Sequence, residues 1–230
     1  MPDSVAKELR YEPNVLFSLA LTALLGAGCM AAADPSRSSE TPQPEGGPAP
    51  VTSPAYTNPN PTPGCPPALD FTMKGIDGKD INLCEYKGNV LLIVNVASRC
   101  GYTPQYKGLE ALNQKYRARG LRVLGFPSND FGAQEPGTDA EIKEFCTSNY
   151  GVQFDMFSKI TVKGPNKHPL YQYLTSGGGN EKLAGEVRWN FQKYLIGRDG
   201  KLRAVFPSSV DPMSDELTKA IEAALAEPAA

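Results

Sequence analysis

Five cysteines carry most of the reactive chemistry open to this chain: Cys29, Cys65, Cys84, Cys100 and Cys146. No two have the spacing of a zinc knuckle or a dithiol redox motif. His168 is the only histidine, which argues against multi-histidine zinc sites and against a Ser-His-Asp hydrolase using any other base. Pro169 follows it, so it reads as a helix-start residue. Cys100 is the candidate nucleophile. It follows Ala97-Ser-Arg99 at the end of an almost wholly apolar, mostly β-branched stretch, residues 90–96. A thiol where a strand gives way to a helix meets unpaired backbone N–H groups and the positive end of the helix dipole. Both favour the thiolate, and Arg99 adds in the same direction. The plainer alternative is a small buried core cysteine.

The stretch 90–96 reads as a central strand buried on both faces. Before it, residues 69–73 and 79–83 flank Gly75-Ile-Asp-Gly78, the pattern of a β-hairpin. After it, Tyr106, Leu109, Leu112 and Tyr116 have helical spacing, with Gly120 as the stop. Residues 121–126 form the next strand. Thr138 with Glu141 three residues on is a capping box for a helix that carries Ile142, Phe145 and Cys146 on one face. A short helix over 169–175, a hairpin around Asp199-Gly200 and a last helix starting at Asp211 or Ser214 complete the order ββ-β-α-β-α-α-β-β-α. That order predicts an α/β thioredoxin-like fold, a central mixed β-sheet flanked by helices, with an N-terminal β-hairpin.

The 230 residues are 40% hydrophobic and 21% charged, with a formal charge of -2 and no basic stripe, which speaks against nucleic-acid binding. The 21 prolines are unevenly spread. Residues 15–28 form an apolar run of signal-peptide length behind Lys7 and Arg10. Gly26-Ala-Gly28 then leads into Cys29, a pattern similar to a bacterial lipobox with its Leu one position early, at Leu25. Lipid anchoring through Cys29 and free secretion after Ala31-Ala-Ala33 both remain open. The expected domains are therefore 1–33 signal, 34–64 a disordered Pro/Ser/Thr-rich linker, and 65–230 folded, in an exported periplasmic or membrane-anchored protein.

A dithiol enzyme would carry its second cysteine at Thr103, and a peroxiredoxin would carry threonine at Ala97. Asn95-Val-Ala-Ser-Arg-Cys-Gly-Tyr-Thr103, Phe126-Pro-Ser-Asn-Asp-Phe-Gly-Ala-Gln-Glu-Pro-Gly137 and Trp189-Asn-Phe-Gln-Lys-Tyr-Leu195 instead resemble, in order, three segments of the glutathione peroxidase family. The resemblance implies a thiol peroxidase acting on hydrogen peroxide and organic or lipid hydroperoxides, with Cys100, Gln134, Trp189 and Asn190 as catalytic tetrad. Amide and indole N–H groups suit a sulfur anion and peroxide oxygens, because they donate without competing as bases. Oxidised Cys100 would be a sulfenic acid, which condenses with a thiol. Cys146 matches the family's resolving position, although its helical spacing equally fits a buried structural cysteine. Ser128 replaces another cysteine found in relatives. Thioredoxin or glutathione would be the reductant, with no bound cofactor and no metal.

Cys65 and Cys84 are left to form a structural disulfide or to stay as free thiols. The short 177–188 segment, compared with tetrameric relatives, implies a monomer. A redox relay passing oxidation to a partner protein and a non-catalytic exported module are the competing functions.

Overall fold

The structure, a computed structural model, describes residue 56 and residues 58–228. The expected signal segment, Cys29 and most of the expected linker lie outside the described residues. A five-stranded sheet organises the molecule in the order β5-β4-β3-β6-β7. Its centre is β3, Val90–Val96, in which every residue is buried. β3 pairs parallel with β4, Leu121–Pro127, and antiparallel with β6, Lys193–Ile196. β7, Leu202–Phe206, continues antiparallel beyond β6, and the two-residue β5, Asp155–Met156, lies parallel beyond β4. The mixed sheet expected from the chain order is present.

Successive β3 side chains point to opposite faces. Val90, Leu92, Val94 and Val96 enter one core, and Leu91 and Ile93 the other. The first core packs against α1, Gln105–Tyr116, α2, Asp139–Tyr150, and α4, Asp215–Ala226. The second packs against α3, Pro169–Thr175, and the N-terminal hairpin. Gly120, at φ 99°, ends the turn after α1 in a left-handed conformation that glycine adopts without strain. At Gly125 a Cβ would sit 2.5 Å from Met156 Sδ, so a larger residue there would push the Met156 side chain aside.

Several expectations are corrected. The hairpin is shorter than 69–83: β1 is Thr72–Lys74 and β2 is Asp80–Asn82. Pro67 turns the chain into a 3-10 helix before β1, and the Asn82 side chain accepts from Cys84 N and starts another after β2. Cys100 does not stand at a helix start, because α1 begins at Gln105, after a series of turns. Pro104 accounts for this, since the residue before proline is pushed away from helical geometry. The folded part also begins before residue 65. Asp70 accepts from Asn58 Nδ2 at 2.7 Å and Thr62 N at 3.0 Å, and the Tyr56 ring packs 5.6 Å from Phe71. The last helix starts at Ser214, whose side chain accepts from Leu217 N.

Candidate active site

β3 delivers Cys100 to the carboxyl end of the sheet, where it is 8% exposed. Thr103 shapes its loop. The Thr103 hydroxyl donates to Ala97 O and accepts from Cys100 N, both at 2.9 Å, and Thr103 N donates to Cys100 O at 3.0 Å. This closure turns the Tyr102 amide onto the sulfur, at 3.4 Å. A backbone donor at that point meets the sulfur without offering a base. It stands in for the helix N-terminus expected there.

Gln134 sits in the loop after β4, joined to the nucleophile turn through Arg99 N, which donates to Gln134 O at 3.0 Å. One residue further, the buried Glu135 accepts from Ser98 Oγ at 3.0 Å. Burial raises the Glu135 carboxyl above the usual range, with the Ser98 hydrogen bond and the Lys159 and Arg99 charges working against it. The third piece is the turn Trp189-Asn190-Phe191. Asn95, on β3, holds it: Asn95 Nδ2 donates to Trp189 O at 3.0 Å, and Asn95 O accepts from Phe191 N at 2.6 Å. Asn190 Nδ2 then donates to Gln134 Oε1 at 2.9 Å.

The structure thus brings the turns bearing Cys100, Gln134, Trp189 and Asn190 into one hydrogen-bonded assembly. Among the described residues, no hydrogen bond joins the Gln134, Trp189 or Asn190 side chain to the Cys100 sulfur. Gln134 and Asn190 engage each other, and the sulfur is met by Tyr102 N. Trp189 is 39% exposed and packs against Phe131, ring centroids 5.6 Å apart. Among the described residues, only Ala133 and Phe191 are non-glycine residues with positive φ, at 51° and 64°. Each adjoins a site residue, Gln134 and Asn190, and strained backbone of this kind is held only where the surroundings over-determine it.

Asn95 and Thr103 are the site residues that the sequence reading left without a role. Asn95 had a signal, as the lone polar residue in an apolar strand. Lys193 is a third. Its buried ammonium donates to Gln105 Oε1 and Val210 O, both at 2.6 Å, and so pins the start of α1. Burial pushes it down to about 8.

Cys146 lies on the inward face of α2, 1% exposed, a free thiol like Cys100. Burial pushes it up to about 11. The Thr138–Glu141 capping box starts this helix as expected. Cys65 and Cys84 form a disulfide with Cα atoms 5.7 Å apart. His168 caps α3, its Nδ1 accepting from Leu170 N at 3.2 Å.

Residues 68–175 match the family model described as Glutathione peroxidase. The chain is 46% identical over 157 residues to "Hydroperoxy fatty acid reductase gpx1" of Synechocystis, covering 66% of this chain and 92% of that protein. It is 44% identical over 178 residues to "Thioredoxin/glutathione peroxidase BtuE" of Escherichia coli, covering 69% and 97%. Among solved structures, the apo crystal structure of Trgpx superposes with a TM-score of 0.57 at 35% identity, covering 71% of this chain and 98% of that one. With a thioredoxin-like sheet delivering a cysteine among these three turns, and with relatives of this similarity over nearly their whole length, the chain belongs to the glutathione peroxidase family and is a peroxidase.

Proposed function

We propose that the protein reduces hydrogen peroxide and organic or lipid hydroperoxides at Cys100. The observation that carries this reading is the hydrogen-bonded assembly of the Gln134 and Trp189–Asn190 turns with the turn bearing the buried Cys100 sulfur, whose hydrogen-bond donor is a backbone amide. The Cys100 thiolate attacks the terminal peroxide oxygen and the O–O bond breaks. The departing oxygen takes the proton that the Cys100 thiol gave up and leaves as water or an alcohol, and Cys100 becomes a sulfenic acid. Gln134 Nε2, which has no hydrogen-bond partner among the described residues, and the Trp189 indole are the donors for the peroxide oxygens. The partnerless Asn190 Oδ1 is an acceptor for the hydroperoxide proton.

Cys146 then displaces the sulfenic hydroxyl and forms a Cys100–Cys146 disulfide and water. Its helix loosens for this, because two cysteines close a disulfide only when their Cα atoms come within about 7 Å. Thioredoxin or glutathione returns both thiols. The name of the Escherichia coli relative pairs these two reductants, which supports a thiol donor here. Export, with lipid attachment at Cys29, is supported by residues 15–29 and by the Cys65–Cys84 disulfide, since such bonds persist in oxidising compartments. Steady-state turnover of hydrogen peroxide and a fatty-acid hydroperoxide, with reduced thioredoxin or glutathione, tests the reading. Turnover lost in Cys100→Ser supports it, and turnover retained refutes it.

A further inference from the structure

A thiol that resolves a sulfenic acid attacks as thiolate. With Cys146 pushed up to about 11, only about one molecule in 10⁴ carries that thiolate at pH 7. The Glu135 carboxylate makes this harder, because its negative charge opposes another at the sulfur.

Tyr106 lies in the same core as this thiol. It lies in the first turn of α1 and is fully buried. Its ring meets Phe191 edge-on, centroids 5.4 Å apart, beside Asn190. On its other side it packs 5.4 Å from Tyr150, which lies one helical turn beyond Cys146 on α2. Tyr106 is thus wedged between the Trp189–Phe191 turn and the Cys146 face of α2. Its hydroxyl is buried without a hydrogen-bond partner among the described residues. Besides burial, the neighbouring Cys146 thiol raises its ionisation, and the two side chains share one core. A buried, unpartnered hydroxyl destabilises a fold relative to phenylalanine. A thiolate would be a far stronger acceptor for it than the thiol.

We propose that Tyr106 is a positioning residue of the resolving step, its hydroxyl donating a hydrogen bond to the Cys146 sulfur as that thiol loses its proton. The inference rests on Cys146 being the resolving thiol. The hydrogen bond is kept as the helix turn around Cys146 opens and the thiolate attacks Cys100, so it acts on the rate of the step. In the step as a whole, the Cys146 S–H and Cys100 S–O bonds break and the S–S bond forms. The proton and hydroxide leave as water. Tyr106 keeps its own proton throughout, because burial holds its ionisation well above the ordinary phenol range.

The test is Tyr106→Phe in the full chain. Reduced protein is mixed rapidly with hydrogen peroxide, Trp189 fluorescence is followed, and quenched samples are alkylated and mapped. Cys100 oxidation should keep its rate. Disulfide formation should slow by about tenfold at pH 7, with its pH profile displaced to higher pH. Glu135, Tyr150 and the charged residues Asp77, Lys143 and Asp155, which line a cavity of about 260 Å³ beside Cys146, are unchanged in the variant, so the displacement reports Tyr106. A purely structural hydroxyl predicts unchanged kinetics and an equal or higher Tm. Equal disulfide rates in the two proteins overturn the role of Tyr106 alone. A wild-type protein that forms no Cys100–Cys146 disulfide overturns the resolving step together with it.

Discussion

Asn95 shows how a single polar residue in an apolar strand builds a site. Its side chain and carbonyl grip both ends of the Trp189–Phe191 turn, and that turn presents Asn190 to Gln134. Asn95→Ala should therefore misplace Asn190 and Trp189 together. We expect Gln134→Ala, Asn190→Ala and Asn95→Ala each to lower kcat/KM for hydrogen peroxide by about 10²-fold, measured by initial rates. That the turns bearing Cys100, Gln134, Trp189 and Asn190 come together was legible because three segments of the chain resemble, in order, segments of the family. The Asn95 clamp and the Thr103 closure were not. Both depend on which backbone groups a turn exposes, and residue spacing does not encode that.

At the scale of elements, α2 has two demands on it. Its capping box stabilises it, yet the proposed chemistry requires the part bearing Cys146 to open. Thr138→Ala should cost about 1 kcal/mol. It should also lower Tm by a few degrees and speed disulfide formation after peroxide addition, as seen by quenched alkylation. A slower rate would show that opening of α2 does not limit the step. The start of α1 depends on Lys193, whose ammonium is neutralised more readily in the fold than in the unfolded chain. Between about pH 8 and 10.5 the unfolded chain binds the extra proton, so this residue's contribution becomes more favourable as pH rises. Wild type should gain on Lys193→Met by up to about 3 kcal/mol across that window in urea unfolding. The long strands, the capped helix and the hairpin around Asp199-Gly200 were readable from periodicity and turn residues. β5 was not, because two residues carry no periodicity and their place is set by pairing with Leu124 and Gly125 of β4. Cys100 was placed at a helix start because β3 ends just before it, whereas with Pro104 in the chain α1 begins only at Gln105, where the apolar spacing from Tyr106 sets in.

Across the described part of the molecule, the chemistry sits at one end of a rigid central strand, and a second sulfur pair fastens the N-terminal segment. Cys65–Cys84 closes a 19-residue separation beside Asn58 and Thr62, which are hydrogen-bonded to Asp70. Cys84→Ser should lower stability by about 2–4 kcal/mol in chemical denaturation while leaving peroxide turnover intact, since neither cysteine belongs to the site. The thioredoxin-like plan followed from element order, whereas the docking of Tyr56 and residues 58–64 did not, since their composition reads as linker. The central claim is that Cys100 is oxidised and Cys146 resolves it. One equivalent of hydrogen peroxide added to the reduced protein, followed by alkylation and peptide mapping, tests it most directly. A disulfide-linked pair of peptides containing Cys100 and Cys146, absent in Cys100→Ser, is the predicted result; Cys100 modified alone, with Cys146 still open to alkylation after unfolding, would contradict the account.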